Sequence, residues 1–379
     1  MPQKGCIGVS SRHAGLDARI SIVPSASLSA RTSMTKPVSS PFLDPTLLFE
    51  HFRGSYGSEL LTAAVSHFGL FELLSNRPMS LVEIQQELNL QRRPAIVLLT
   101  AMRAMQLLDV DLEGRYLLSQ LAVHHLVSTA DHFVGDYIGL AAESPGVLEM
   151  VTRLRSNRPA HAKNNDAGAA FIFREGLESA MEQEASARRL TLALAGRAKN
   201  VAPHLADRLN LTEGILLDVG GGTGIYSIAC LQKYPGLKAI VFDHREVLKV
   251  AAEFAEQYGV ADRLELVEGD MFADTFPSAD AILLSNILHD WDEPECQQLV
   301  AKCGESLSPG GRLLIHDVFL NDDLDGPLPI ALYSAALFTL TEGRAYSARE
   351  CRSWITAAGL APGNVVPTLI HCGVLTAVK

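Results

Sequence analysis

The sequence lacks the features that mark several classes of protein. It has no run of about 18 apolar residues, so no membrane-spanning segment is predicted. Its six cysteines form no CxxC pair, which disfavours a zinc ribbon or a disulfide framework and favours free thiols in a reducing, cytoplasmic setting. Basic residues are outnumbered by acidic ones, and the formal net charge of −11 disfavours a protein that chiefly binds nucleic-acid phosphates. Enzymes and protein-binding modules remain as the main possibilities.

The 379-residue chain is long for one domain, and its composition changes along its length. Residues 1–44 are rich in serine, are interrupted by prolines and show no periodicity, which predicts a disordered tail. Residues 45–130 show the apolar spacing of helices. Residues 131–206 are predicted to form a helical linker or substrate lid. Residues 207–379 alternate between strands and helices and are predicted to be the ligand-binding domain.

The segment 45–130 is predicted to be a winged-helix-like module. Apolar residues recur at helical spacing over 60–73, a capping-box sequence begins a second helix at Ser80, and apolar residues over 98–108 line a third. A short β-hairpin follows, with its turn near Glu113. A DNA reader normally presents a basic face. Between residues 57 and 125 there are seven acidic residues and only five basic ones. We therefore favour a role for this module in dimerisation or in covering a substrate.

The last part of the chain predicts a Rossmann-like, doubly wound, mostly parallel α/β sheet. Its apolar strands alternate with helical segments, as in a parallel sheet that is covered on both faces. The predicted strands are residues 215–219, 239–243, 264–268, 281–285 and 312–317. The main predicted helices are residues 246–258 and 293–307, and residues 365–370 and 373–378 are predicted to form a closing hairpin.

A glycine cluster joins the first predicted strand to a helix. Glycines at such a turn let the backbone approach a nucleotide, because no Cβ stands in the way. A dinucleotide-binding fingerprint would need a glycine where Ile225 stands. The pattern present is D-x-G-x-G-x-G, from Asp218 through Gly220, Gly222 and Gly224. It resembles the first motif of the doubly wound S-adenosylmethionine-dependent methyltransferases, so we expect these four residues to bind that cofactor.

Polar residues follow several predicted strands at their carboxyl ends, the edge at which open parallel sheets bind ligands. Asp243 can accept hydrogen bonds from both ribose hydroxyls of a nucleoside. Asp270 can accept a hydrogen bond from an adenine amino group, and Met271 offers the ring a polarisable surface. His289 has a side chain suited to removing a proton from an acceptor hydroxyl. Asp317 could orient the imidazole and stabilise its positive charge.

Three motifs together resemble those of the small-molecule O-methyltransferases typified by plant caffeate and flavonoid enzymes, bacterial polyketide-tailoring enzymes and acetylserotonin methyltransferase. They are LDVGGGTG at residues 217–224, GDMF at 269–272 and LHDW at 288–291. The resemblance extends from about residue 45 to the end. It implies cofactor contacts at Gly220, Asp243, Asp270, Met271 and Ser285. It implies that His289 is the general base, with Asp317 as its first supporting carboxylate.

The resemblance also implies a homodimer, in which the winged-helix-like domain contributes to the partner's substrate pocket. A small-molecule acceptor, aromatic or of polyketide type, would then be the second substrate. Neither nucleic acid, membrane nor a metal ion is expected to take part.

The sequence departs from the plant relatives at three places. Ser285 stands where they have lysine, and Ala345 stands where they have a second supporting glutamate. Residues 192–197, LALAGR, replace an Asn-Lys/Arg-Ala-Met sequence. We therefore expect an altered cofactor contact, a less supported base and a diverged acceptor pocket.

Two alternatives remain open from the sequence. In the first, His289, Asp290 and His316, with Asp317 beside them, hold a metal ion for C-methylation of a 2-oxo acid, although neighbours on a strand face opposite ways. In the second, the chain is a regulator in which a winged helix is joined to a cofactor-sensing domain.

Overall fold

The computed structural model describes residues 36–158 and 184–379, which form fourteen α-helices and ten β-strands. The helices are α1 Thr46–Arg53, α2 Ser55–Thr62, α3 Leu70–Asn76, α4 Leu81–Leu88, α5 Arg92–Ala104, α6 Gln120–His125, α7 Gly135–Gly139, α8 Pro145–Ser156, α9 Glu184–Arg208, α10 Ile225–Lys233, α11 Arg245–Gln257, α12 Glu293–Ser306, α13 Leu328–Leu340 and α14 Ala348–Ala357. The strands are β1 Leu108–Val110, β2 Tyr116–Leu118, β3 Glu213–Val219, β4 Gly236–Asp243, β5 Leu264–Glu268, β6 Ala279–Ser285, β7 Leu307–Leu320, β8 Tyr346–Ser347, β9 Ala361–Pro367 and β10 Cys372–Val378.

The main sheet has the order β5-β4-β3-β6-β7-β10-β9, with β8 added at the end of β7. Strands β3 to β7 pair in parallel, whereas β10 is antiparallel to both β7 and β9. The predicted doubly wound, mostly parallel sheet is thereby confirmed. The strand order reverses at β3, which lies between β4 and β6. In such sheets the crevice at this reversal, outside the carboxyl ends of the strands, is where ligands bind.

Helices cover both faces of this sheet because its strands are apolar on both sides. Leu216 points into one core with α9, α10 and α11, and its neighbour Leu217 points into the other with α12 and α14. Helix α11 places Val247, Val250 and Phe254 on one buried side at intervals of three and four residues, which is the pattern of an amphipathic helix. Packing on both faces holds the carboxyl ends of the strands in fixed positions.

The N-terminal helices α2 to α8 and the β1–β2 hairpin surround a separate core. Helix α13, from the second half of the chain, joins the two halves. Its Phe338 lies in the N-terminal core, whereas its Ile330 lies in the core of the sheet domain. Helix α13 therefore must be apolar on all sides, and it packs against α5 and α1 as well as β7.

Some predicted boundaries are wrong, and backbone conformation explains why. The apolar spacing over 60–73 is interrupted by Gly69, whose φ of 56° ends one helical segment before α3 begins. The helix predicted over 98–108 ends at Ala104 because Gln106 has a φ of 60°, and Leu108 then starts β1. The capping box at Ser80 is confirmed, as is a hairpin around Glu113.

Part of the predicted N-terminal tail contacts the sheet domain. Gln232 accepts a hydrogen bond from the Val38 amide and donates one to the Lys36 carbonyl. Residues 1–35 of the predicted tail, and residues 159–183 of the predicted lid, lie outside the described residues. Within the described part of the chain, no helix is both long and apolar enough to span a membrane.

Candidate active site

The glycine loop between β3 and α10 lies at the point where the strand order reverses. Gly220 has a φ of 64°, and a Cβ built on it would lie 2.6 Å from Ile287 Cδ1 and 3.3 Å from Met271 Cε. Gly222 has a φ of 60°, and a Cβ there would meet no described atom within 4 Å. The loop thus has a left-handed backbone that glycine accommodates, and one open side along which a ligand can approach.

Asp218 lies beneath this loop rather than at its surface. Its side chain is fully buried, its Oδ2 accepts a hydrogen bond of 2.8 Å from Ser227, and its Oδ1 has no hydrogen-bond partner among the described residues. Burial raises the pKa of Asp218 to about 7. An unsatisfied buried oxygen is a suitable acceptor for a cationic ligand group, so Asp218 fits a cofactor site as well as a supporting role for the loop.

Gly224 has a different environment from the other two motif glycines. It precedes α10 with a φ of 69°, and a Cβ on it would lie 3.0 Å from Val241 Cγ2 in β4. The structure therefore shows it at a close helix–strand approach, facing the core. This position explains the need for glycine without a ligand contact.

The acidic residues that follow β4 and β5 lie around the same loop. Asp243 accepts hydrogen bonds from the Gly222 amide at 2.9 Å and from the His244 amide at 2.7 Å. Burial raises the pKa of Asp243, although these two amides act in the opposite direction. Asp270 is exposed, and its Oδ1 accepts a hydrogen bond from the Phe272 amide at 2.7 Å. The structure thus brings Gly220, Gly222, Asp243 and Met271 together, with Asp270 beside them in the chain.

Ser285 lies in a buried polar cluster at the end of β6. Its Oγ is 2.9 Å from His316 Nδ1, and Asn286 Nδ2 donates a hydrogen bond of 3.1 Å to the same oxygen. The other His316 nitrogen is 3.1 Å from Thr368 Oγ1, and the ring packs edge-on against Tyr226. Burial and the nearby positive charge of Arg197 lower the pKa of His316 to about 3, so this histidine is neutral. The Ser285 hydroxyl therefore has its hydrogen-bond partners within the protein.

His289 and Asp317 form a buried pair at the edge of the sheet. His289 belongs to a single 3₁₀ turn, Leu288–Asp290, after β6, and Asp317 lies in β7. His289 Nδ1 is 2.6 Å from Asp317 Oδ1, which also accepts a hydrogen bond from the Val318 amide at 2.8 Å. Burial acts to lower the pKa of His289, but the charges of Asp317 and Asp290 outweigh it and raise the pKa above its ordinary value of 6.5.

A second carboxylate near the imidazole comes from Asp290. Its Oδ1 is 3.7 Å from His289 Nε2, and burial raises the pKa of Asp290 to about 6. Ala345, the position at which the plant relatives have glutamate, is fully buried, and its amide donates a hydrogen bond to Ser334. His289 is therefore flanked by two carboxylates despite the alanine at 345.

The alternative metal site is not formed. His316 and Asp317 are neighbours on β7 and point to opposite faces, so His316 bonds to Ser285 while Asp317 bonds to His289. Within residues 36–158 and 184–379, no group of three or more His, Cys, Asp or Glu side chains is arranged to hold a metal ion.

Three residues near His289 were not predicted from the sequence as site residues. Tyr333 of α13 packs edge-on against the His289 ring, with centroids 5.8 Å apart. The guanidinium carbons of Arg53 and Arg197 lie 3.5 Å and 5.8 Å from the Tyr333 ring centroid. Only Arg197 had a partial signal in the sequence, because it ends the segment that departs from the plant relatives.

Known proteins match this chain over most of its length. Residues 180–361 match the family described as the O-methyltransferase domain. A 3-hydroxy-5-methyl-1-naphthoate 3-O-methyltransferase from Streptomyces sahachiroi is 34% identical over 320 residues, which are 83% of this chain and 89% of that protein. An O-methyltransferase family 2 protein from Planctomyces limnophilus, crystallised in complex with apigenin, is 49% identical, with a TM-score of 0.82 over 91% of this chain and 99% of that one.

Human N-acetylserotonin methyltransferase, solved in complex with S-adenosylmethionine, shares the fold at 23% identity, with a TM-score of 0.55 over 88% of this chain and 96% of that one. The family match, the Streptomyces relative and the Planctomyces structure confirm the resemblance inferred from the three motifs, and the chain is an enzyme rather than a regulator. The open glycine loop and the unsatisfied Asp218 oxygen fit the cofactor used by the family. The chain therefore belongs to the O-methyltransferases that use S-adenosylmethionine as their methyl donor.

Proposed function

We propose that this enzyme methylates a hydroxyl group of a small aromatic or polyketide-type metabolite, with His289 as the general base. The observation that carries this proposal is the buried contact of 2.6 Å between His289 and Asp317 at the ligand-binding edge of the sheet. The names of two similar proteins support the acceptor class, since one acts on a hydroxynaphthoate and the other was crystallised with apigenin.

His289 accepts the proton, and Asp317 orients the imidazole for this transfer. Asp317 binds Nδ1 and leaves Nε2 as the nitrogen that can accept the proton of an acceptor hydroxyl. Phenols have a pKa of about 10 and are poor nucleophiles while neutral, so a base is needed near neutral pH. Asp317 and Asp290 stabilise the imidazolium that results, which is why they raise the pKa of His289.

Residues around the glycine loop would hold the methyl donor. S-adenosylmethionine supplies an electrophilic methyl group when it is bound. The Gly220 and Gly222 backbone would lie against it, Asp243 would bind the ribose, and Asp270 and Met271 would contact the adenine. Asp218 and Gly224 support the loop from beneath, and Ser285 acts through its buried hydrogen-bond network.

A homodimer formed through the N-terminal helices is part of the proposal. Large apolar side chains at the start of the described chain are left exposed: Phe42, Leu43, Leu47, Leu48 and Phe52. Five exposed large apolar side chains within residues 42–52 indicate a protein interface rather than a solvated surface. We infer that a second copy of this chain covers these side chains. We also propose the domain limits 45–130, 131–206 and 207–379.

Substitution of His289 tests the catalytic assignment. In His289→Ala, methyl transfer to hydroxynaphthoate or flavone acceptors should fall by about 10²–10⁴-fold, the range expected for loss of a general base. Binding of S-adenosylhomocysteine, measured by calorimetry, should stay unchanged because His289 does not line the glycine loop. His124→Ala, an exposed histidine of the N-terminal region, is the matched control. Full turnover by His289→Ala would remove histidine base catalysis and leave the cofactor assignment intact.

A further inference from the structure

Two arginines approach the proposed base through a single tyrosine ring. Tyr333 contacts His289 on one side and carries the Arg53 guanidinium on its face, with Cζ 3.5 Å from the ring centroid. Arg197 reaches the same ring at 5.8 Å. These residues come from three separate helices, α1, α9 and α13. Two positive charges are therefore held around the ring that packs against His289.

Arg53 has no described partner that matches its charge. It is only 6% exposed, yet it makes no hydrogen bond or ion pair with any residue among 36–158 and 184–379, and its guanidinium lies against the rings of Phe49 and Tyr333. Burial away from water lowers the pKa of Arg53. A guanidinium has five N–H donors. No Arg53 nitrogen is among the fully buried side-chain atoms that lack a partner in the described part of the chain, so the group reaches an accessible space from which a ligand can approach.

Other buried arginines in this protein have guanidinium groups that are hydrogen-bonded or paired with carboxylates. Arg93 is equally buried but donates to the Thr341 and Gly343 carbonyls, at 3.1 Å each. Arg344 is paired with carboxylates of Glu293 and Glu350. Arg53 thus stands apart from arginines whose role is to hold the fold together.

Arg197 is the second member of the cluster, and it is also without a carboxylate. Its two terminal nitrogens donate to Asn286 Oδ1 at 2.8 Å and to Cys372 Sγ at 2.9 Å. Its Nε is buried and has no hydrogen-bond partner within the described part of the chain, as is also true of Arg344 Nε. Arg197 is therefore held in position by its terminal nitrogens, and the charge of Asp317 acts on it without a direct ion pair.

We propose that Arg53 and Arg197 form an anion-binding subsite of the acceptor pocket, and that the natural acceptor is an aromatic hydroxy acid. Its carboxylate lies against Arg53, in the bidentate geometry that guanidinium groups favour, while its hydroxyl faces His289. Arg53 is then a specificity-determining residue. This inference rests on the proposed function for the identity of the methylated hydroxyl, but the anion-binding subsite itself does not depend on turnover.

Binding of unreactive ligands tests the subsite without catalysis. 1-Naphthoate and 1-naphthamide have nearly the same shape and differ in charge. Calorimetry on the full chain with S-adenosylhomocysteine present should show the acid binding at least about ten-fold more tightly than the amide, since hydrogen bonds to charged groups are the stronger ones. Equal binding of the two ligands by the unmodified enzyme would overturn the proposal.

Variants then assign the preference to Arg53. Arg53→Gln should remove the preference for the acid. Arg53→Lys should keep part of it, because lysine retains the charge but lacks the two parallel N–H donors that bind a carboxylate in bidentate fashion. Arg77→Gln, at an exposed ion pair with Glu83, is the matched control and should keep the full preference. If Arg53→Gln and Arg53→Lys weaken the acid and the amide equally, Arg53 only supports Tyr333 and the subsite is refuted.

Turnover separates this inference from the proposed function. With 3-hydroxy-1-naphthoate and its carboxamide as acceptors, Arg53→Gln should raise KM for the acid by about ten-fold or more and leave kcat/KM for the amide within about two-fold. An Arg53-dependent preference in binding without any methyl transfer to hydroxyl acceptors would refute the proposed function and leave the subsite standing. Methyl transfer with equal efficiency to both acceptors would refute the subsite and leave the proposed function standing.

Discussion

Replacing Asp317 by asparagine removes one charge from the His289 pair while keeping the size of the side chain. The carboxylate lies 2.6 Å from Nδ1, and both side chains are almost fully buried, so water cannot replace the lost charge. At a charge separation of about 4 Å and an effective dielectric constant of about 20, the carboxylate stabilises an imidazolium by about 4 kcal/mol. If the transition state carries most of this positive charge, the plateau rate should fall by about 10²–10³-fold.

The pH dependence of kcat/KM provides a second measurement of the Asp317→Asn substitution, because the rise of kcat/KM with pH should move in one defined direction. A general base works as neutral imidazole, so kcat/KM rises with pH and levels off above the pKa of His289. The raised pKa of His289 places this limb above pH 6.5 in the unmodified enzyme. Without the charge of Asp317, burial becomes the larger influence and lowers the pKa of His289. We therefore expect Asp317→Asn to show a lower plateau and a limb displaced to lower pH.

The assay is initial-rate formation of S-adenosylhomocysteine between about pH 5 and about pH 9, with an acceptor whose own ionisation lies outside that range. Asp290→Asn should move the limb in the same direction by a smaller amount, because its carboxylate is 3.7 Å from Nε2. Asp323→Asn, at an exposed surface pair, controls for the loss of one negative charge. A plateau that falls less than about ten-fold with an unmoved limb would show that His289 does not act as the base.

Two further predictions concern stability and assembly. Because the folded-state pKa of Asp218 is raised from 3.8 to about 7, its contribution to stability is complete below pH 3.8 and lost as the pH rises through 7. Asp218→Asn should therefore gain about 2 kcal/mol relative to the unmodified protein between pH 5 and pH 8 in urea unfolding, and an equal effect at both pH values would contradict this. Phe52→Asp should convert a dimer to monomers in light scattering, whereas Leu112→Asp, in the exposed hairpin turn, should not; a monomeric parent protein would end the dimer proposal.

Much of the fold could be predicted because its strands are apolar and separated by helices. Strand β5 has the predicted limits, whereas β7 runs from Leu307 rather than from residue 312. Its first residues, Ser308 to Gly311, have the composition of a turn. They do form an irregularity, because Leu307 pairs with Ala279 and Arg312 with Ala281 of β6, so residues 308–311 bulge from the ladder and Gly310 has a φ of 78°. The strand is nevertheless continuous, and the Gly311 carbonyl accepts a hydrogen bond from the Lys379 amide.

The candidate site could be predicted for those residues that the order of the strands alone brings close to the glycine loop. Parallel strands end at one edge, and this was sufficient to place Asp243 and Met271 beside the glycine loop. The direction in which each side chain points could not be predicted from strand order. The prediction therefore missed that Asp218 and Gly224 are buried beneath the loop and that Ser285 bonds to His316. Arg53 could not be found at all, since no local pattern links α1 to Tyr333.

The position of β10 has a consequence for biosynthesis. It lies inside the sheet, between β7 and β9, although every other strand precedes it in the chain. Strand β9 pairs with no strand except β10 among the described residues, so it cannot join the sheet until β10 has left the ribosome. Until then the apolar strand β7 has an open edge, which another chain could pair with. A chain in which β10 has not yet paired therefore exposes more strand edge to aggregation than the folded enzyme does.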